Sequence, residues 1–299
     1  MKIASLIVLS FVVISCSTVP ITGRRQVHLL PESTMTSMGL TGYQDFLKTN
    51  PVVSSNDPNS RIVKQVGAKI SAAVERYMNA HNYADRIASY KWEFNLVNSK
   101  DVNAWCMPGG KVVVYSGILP YTKDESGMAV VMAHEIAHAV AQHGNERMSQ
   151  ELAVQAVGTS LDVFMAQKPQ QTRDIFMTAF GVSSQLGTLA YSRSHESEAD
   201  KLGLVFMAMA GYNPERAITF WQEMANLGGA KPPEFISTHP SDERRISQIQ
   251  AFLPEAKKYY VINPTGSATG NKTNTNQPAT PQSKPVTPPS PSQLGVKIK

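Results

Sequence analysis

Met132-Ala-His-Glu-Ile-Ala-His138 decides how this chain is read. The pattern H-E-x-x-H sets His134 and His138 one helical turn apart with Glu135 between them. Side chains at i and i+4 project from one face of a helix. Two imidazole nitrogens can therefore converge on one metal ion while the intervening carboxylate reaches a water on it. Chance produces these letters in helices rich in Ala, Glu and His, so the surroundings have to support them. Thr122-Lys-Asp-Glu125 reads as a capping box, Met128, Val131, Met132 and Ile136 follow at helical spacing, and Gly144 supplies a stop. A satisfied polar cluster without metal is the competing reading, but such a cluster is costly among apolar neighbours. The stretch predicts a buried helix carrying a zinc hydrolase site.

Catalytic zinc held by two histidines usually takes a third protein ligand, often glutamate, and keeps the fourth position for water. A downstream carboxylate is therefore expected. Tyr191-Ser-Arg-Ser-His-Glu-Ser-Glu-Ala-Asp200 opens an apolar helical run, Leu202 to Met209, and places Glu196 and Asp200 on one face. Glu196 is the expected ligand, and Asp200 the expected acceptor for the free ring N–H of a metal-bound histidine. Glu198 falls on another face and is expected to be solvated. His143, five residues after His138, does not match the metzincin spacing and is expected to be structural.

H-E-x-x-H followed by Ser192-Arg-Ser-His-Glu-Ser-Glu-Ala-Asp200 resembles the zinc peptidase family of HtpX and the CAAX prenyl proteases. In that family the glutamate four residues before the aspartate is the third ligand, which falls on Glu196. Asn103-Ala-Trp-Cys-Met-Pro-Gly-Gly110, running into the alternating stretch Lys111 to Tyr115, resembles the family's N-A-F-x-x-P-G-G segment, with Trp105 and Cys106 departing from the usual residues. The resemblance implies that substrate lies extended along the strand at Asn103, Ala104 and Trp105, exchanging main-chain hydrogen bonds. By spacing alone the segment reads equally well as an ordinary hairpin turning at Gly109-Gly110.

Ser237-Thr-His-Pro-Ser-Asp-Glu-Arg-Arg245 carries a His-Pro that in the family approaches the zinc. The resemblance gives His239 one of two roles. It stabilises the developing oxyanion, or it binds the metal and holds the enzyme latent until substrate displaces it. A capping or surface histidine before a helix begun by Pro240 is the alternative.

The expected chemistry is peptide hydrolysis. One zinc per chain would lower the pKa of its water toward roughly 7 and polarise the scissile carbonyl. Glu135 would take the proton and pass it to the leaving amine.

Lys2 precedes an apolar run from Ile3 to Val13 with the length of a secretory h-region, too short to span a membrane. Val13-Ile-Ser-Cys16 resembles the lipobox of bacterial lipoproteins, which makes Cys16 the expected lipidation site and mature N-terminus. An ordinary cysteine within a cleavable signal is the alternative. More than one acyl chain would give stable anchoring, and Ser17 resembles an outer-membrane sorting preference in a Gram-negative cell. With Cys16 lipidated, Cys106 has no intramolecular partner, and no internal disulfide is expected. Arg24-Arg25 reads as a solvated linker near lipid headgroups.

The chain divides into a signal peptide at 1–15, a lipidated linker and first segment at 16–56, a metallopeptidase domain at 57–262 and a disordered Pro/Thr/Ser/Asn-rich tail at 263–299. An amphipathic helix from an Asp57 cap to about Met78, strands at Trp92 to Val97 and Lys111 to Tyr115, and mostly helix from Asp124 to Phe252 give a mainly helical α+β class. The expected architecture is zincin-like, with a small β-sheet beside the H-E-x-x-H helix. No apolar run after the signal approaches the roughly 18 residues of a span. The chain thus resembles soluble, envelope-located family members such as BepA and LoiP more than HtpX itself. A net charge of +5 spread along the chain, without a basic and aromatic cluster, argues against nucleic acid as a partner.

The expected function is a zinc-dependent endopeptidase that cuts misfolded or stalled envelope proteins, lipid-anchored in the bacterial cell envelope, on the periplasmic side of the outer membrane if the cell is Gram-negative. The alternatives are an assembly factor or chaperone with a latent site gated by His239, and a small-peptide or cell-wall hydrolase.

Overall fold

A computed structural model describes residues 15–182, 192–226, 234–239 and 243–260, with the backbone alone for Ser15, Cys16, Glu234 and Ile236. The signal run to residue 14, Tyr191, residues 227–233, Pro240 and the tail lie outside the described residues. A hairpin of β1 (Ser15–Thr18) and β2 (Arg25–His28) leads into α1 (Glu32–Thr49) and α2 (Pro58–Ala80). Next come β3 (Glu93–Val97), β4 (Ala104–Met107) and β5 (Lys111–Tyr115), forming one sheet in the order β3-β5-β4. The rest is helical: α3 (Leu119–Thr122), α4 (Glu125–Val140), α5 (His143–Gln155), α6 (Leu161–Gln167), α7 (Pro169–Ala179), α8 (Arg193–Met209), α9 (Arg216–Ala225), α10 (Glu234–Thr238) and α11 (Glu243–Lys257). The class is mainly helical α+β, as the sequence predicts.

Helix α2 starts where its signals place it. Asp57 Oδ1 accepts from the N–H groups of Asn59 (2.8 Å) and Ser60 (3.2 Å), and Pro58 holds the first position. The hairpin reading of β4 and β5 also holds. Trp105 pairs with Val113, and Gly109 and Gly110 turn the chain at φ 82° and 78°. Strand β5 is buried on both faces, and alternate residues serve different cores. Val112 and Val114 pack with α2, α4 and α8, whereas Val113 and Tyr115 pack with α1, α5 and α7.

The ends of α4 differ from expectation. Asp124, not Thr122, is the cap, its Oδ1 accepting from Gly127 N–H at 2.7 Å. Thr122 instead ends α3, and Lys123 at φ 64° separates the two helices, so the Thr122-to-Glu125 box cannot form. Nor does Gly144 stop the helix. The chain turns at Gln142 (φ 59°), and Gly144 sits inside α5, where a Cβ would lie 2.1 Å from a ring carbon of Phe180. The missing side chain makes room for that ring.

Helix α8 packs closely on α4 at Gly203, where a Cβ would approach Ala133 C and His134 N to 3.2 Å. This contact brings the two halves of the sequence motif together. The N-terminal arm is also tied in. Val19 is fully buried, and Arg24, read from sequence as solvated, donates to both carboxylate oxygens of Glu146 (2.9 and 2.8 Å) and to Glu198 (2.8 Å). The arm folds back over α5 and α8, a long-range contact that local charge cannot reveal. Cys106 is a buried free thiol that burial, then the charge of Glu135, raises well above the usual range, which suits packing and not redox chemistry. Among the described residues, no helix is long and apolar enough to cross a membrane.

Candidate metal centre

The i, i+4 spacing puts His134 and His138 on one face of α4, as expected. Ser192 caps α8 through Oγ, accepting from His195 N–H at 3.2 Å, so Glu196 falls in the first turn, where the helix end favours a carboxylate. His239 follows α10, its N–H donating to Phe235 O at 2.9 Å. These four buried side chains each direct one ligand atom into a common space, all within 4.8 Å of one another.

The spacing tests the fit. His134 Nε2 is 3.1 Å from His138 Nε2, 3.2 Å from His239 Nδ1 and 3.3 Å from Glu196 Oε2. Glu196 Oε1 is 3.3 Å from His138 Nε2 and 3.0 Å from His239 Nδ1. Bonds of about 2.0–2.1 Å to nitrogen and oxygen in a tetrahedron require donors about 3.3 Å apart. Nitrogens facing nitrogens at such distances repel unless a proton or a cation lies between them, so the residues fit a small cation of the zinc type.

Burial by itself would raise Glu196. The charges of His239 and Arg245, with hydrogen bonds from His134 and His138, outweigh it and hold the carboxyl well below its usual range. Glu135 lies beside the cluster. Its carboxyl is pushed up to about 7, chiefly by burial, and its Oε1 lies 3.5 Å from His239 Nε2 without a hydrogen bond.

Asp200 takes the place expected of it, with Oδ1 3.0 Å from His134 Nδ1. Sequence reasoning gave no role to Arg245, which holds this corner together. Its Nε and Nη2 donate to Asp200 (2.8 and 2.7 Å), Nη1 lies 2.8 Å from Glu196 Oε2, and its guanidinium stacks 3.4 Å from the Trp221 ring centroid. A signal existed in the sequence: Arg245 heads the buried stripe Ile249, Leu253, Ala256 of α11.

Glu198 departs from expectation, being 4 % exposed and not solvated, because the arm and α5 cover that face of α8. His143 is fully buried, and burial presses it down to about 4, so the ring is neutral at pH 7. The strand residues Asn103, Ala104 and Trp105 are buried and outside the donor cluster. Asn103 Nδ2 donates to Gly181 O (3.3 Å), and Trp105 packs edge-on against Tyr43 and Phe46 in the second core. Cys16 appears as backbone alone, paired with Val27 in the hairpin.

Residues 64–253 match the model for peptidase family M48, a stretch that contains every donor in the cluster. The chain belongs to peptidase family M48. It is similar to the mitochondrial metalloendopeptidase OMA1 of Schizosaccharomyces pombe, 33% identical over 80% of this chain and 67% of that protein. The OMA1 of Saccharomyces cerevisiae is 32% identical over 70% of this chain and 60% of its own length. A beta-barrel assembly-enhancing protease of Yersinia pestis is 29% identical over 59% of this chain and 37% of its own length. The chain thus spans between about a third and two thirds of these relatives. As a member of M48 it is a metalloendopeptidase, and its His-His-Glu-His group could hold the metal.

Proposed function

We propose that this chain is a zinc-dependent endopeptidase acting in quality control of cell-envelope proteins, with unfolded or stalled polypeptides as substrates. The observation that carries the reading is the set of four buried donors at tetrahedral spacing with Glu135 beside them. His134, His138 and Glu196 would hold the ion, with His239 Nδ1 at the fourth corner. Zinc bound there supplies Lewis acidity, drawing electron density from the scissile carbonyl and making water a better nucleophile near neutral pH. Glu135 accepts the proton of the attacking water and delivers it to the leaving amine, a task open to a carboxyl buried beside the cluster. Asp200, held by Arg245, accepts from His134 Nδ1–H and so keeps the Nε2 lone pair turned to the donor cluster.

The placement of His239 favours the latent form of this enzyme. Its side chain has to leave the fourth corner before substrate and water can share it. A second reading, an assembly factor with a rarely used site, draws on the same placement and on the name of the Yersinia relative. The lipobox-like Val13-Ile-Ser-Cys16 supports a bacterial envelope location with the membrane as partner, although two of the relatives are named as mitochondrial.

Zinc content and casein cleavage of wild type, Glu135→Gln, Glu196→Ala and His239→Ala test the proposal. Wild type should carry one zinc and cleave, Glu135→Gln should keep zinc and lose about 10²–10⁴-fold in rate, and Glu196→Ala should lose metal. Faster cleavage by His239→Ala identifies a latch, and slower cleavage identifies a residue that assists the reaction. Zinc without cleavage in both wild type and His239→Ala moves the assembly-factor reading ahead.

A further inference from the structure

His138 has a second ring nitrogen, and what stands behind it is part of a longer chain of contacts. Its Nδ1 lies 2.9 Å from Nδ1 of His143, whose Nε2 lies 2.9 Å from Glu198 Oε2. The same oxygen accepts from Arg24 Nε at 2.8 Å, and Glu198 Oε1 accepts from the Thr22 hydroxyl. Arg24 closes the series by donating through Nη1 and Nη2 to Glu146. Chemistry gives the chain a direction. A carboxylate only accepts, so the His143 nitrogen that faces it, Nε2, carries a proton. With His138 binding through Nε2, its Nδ1 carries the other proton and donates to His143 Nδ1.

We infer that His143, Glu198 and Arg24 are positioning residues for His138, so that the N-terminal arm sets the metal affinity of the centre. The inference rests on the reading of His138 as a metal ligand. Its design repeats that of the other histidine. His134 is backed directly by Asp200 of α8, clamped by Arg245 from the C-terminal helix, whereas His138 is backed through His143 by Glu198 of α8, clamped by Arg24 from the arm. Two carboxylates two residues apart on one helix thus serve the two histidines, each held by an arginine from an opposite end of the chain.

The test is the zinc dissociation constant of the full chain in detergent, measured by competition with a chromophoric chelator. Wild type is compared with Arg24→Gln, Glu198→Gln, His138→Ala and the distant core variant Val74→Ala, with the melting temperature of each metal-free protein recorded. Glu198→Gln replaces an obligate acceptor by a group that can donate and so reverse the tautomers. Arg24→Gln, at a partly exposed position, keeps the test open if Glu198→Gln does not fold. Both should weaken zinc binding about 10–100-fold, while Val74→Ala, whatever it costs in melting temperature, leaves the constant unchanged. Wild-type affinity in Arg24→Gln and Glu198→Gln, or a loss no larger than in Val74→Ala, overturns the inference. Failure of wild type to bind zinc, or unchanged affinity in His138→Ala, overturns instead the ligand assignment beneath it.

Discussion

Two buried polar clusters lie at the end of α4, and they are finished differently. Around Arg24, Glu146, Glu198 and His143, donors meet acceptors and positive charge meets negative. Around His134, His138, Glu196 and His239, imidazole nitrogens face one another and Glu135 Oε1 accepts no hydrogen bond. The first cluster is complete as protein, and the second is one that a cation could complete. Glu198 and His143 are as deeply buried as the second cluster, while Arg24 and Glu146 keep some exposure, and it is the alternation of donors and acceptors that separates a structural network from a site.

The largest effect that tests this difference is expected at Arg245. Arg245→Ala leaves Asp200 and Glu196 as uncompensated buried charges and should cost about 3–5 kcal/mol in urea unfolding, recovered in part by Asp200→Asn in the same chain. An unchanged midpoint would mean that solvent enters this corner freely. Acid acts beside the complete cluster, at His28, which feels the charges of Arg24 and Glu146. Burial, then the charge of Arg86, lowers His28 to about 4, so between pH 6.5 and 4 the unfolded chain binds a proton that the folded chain refuses. Its contribution is lost as pH falls through that window, by roughly 3 kcal/mol at most. Glu32, raised to about 7 chiefly by burial, works in the opposite sense between pH 7 and 4.5. The measurement is therefore the difference between wild type and His28→Gln, which should shrink toward pH 4 as wild type weakens.

Metal acts on the incomplete side. Free zinc at a hundred times its Kd should stabilise wild type by about 2.7 kcal/mol and His138→Ala not at all, read as a shift in Tm. Equal shifts would place the ion elsewhere. Smaller still is Gly144→Ala, which drives a Cβ into Phe180 and should cost about 1–3 kcal/mol. Phe180→Leu in the same chain should restore part of it, and a neutral Gly144→Ala would mean that the Phe180 ring gives way to the added carbon.

The parts of this picture legible in the sequence are those fixed by helical periodicity. His134, Glu135 and His138 on one helix and Glu196 and Asp200 on another were readable because 3.6 residues per turn places them without reference to the rest of the chain. The helix ends were not, because Lys123 and Gln142 adopt left-handed backbone under tertiary contacts and Phe180 comes from a distant helix. Glu198 and Arg24 were misread for a related reason. Arg24 lies more than a hundred residues from both Glu146 and Glu198, and nothing local marks a charge that will be covered. Arg245 was the accessible omission, a charge on an apolar stripe.

The backbone of His239 is fastened on both sides. Its N–H is spent on Phe235 O, and its C=O receives Arg245 Nη1 at 3.2 Å. If His239 closes the site, vacating the fourth corner is a turn of its side chain that leaves three donors in place. Such a latch would divide the molecules into shut and open fractions, and an extended polypeptide binding to the open form would draw the balance toward activity.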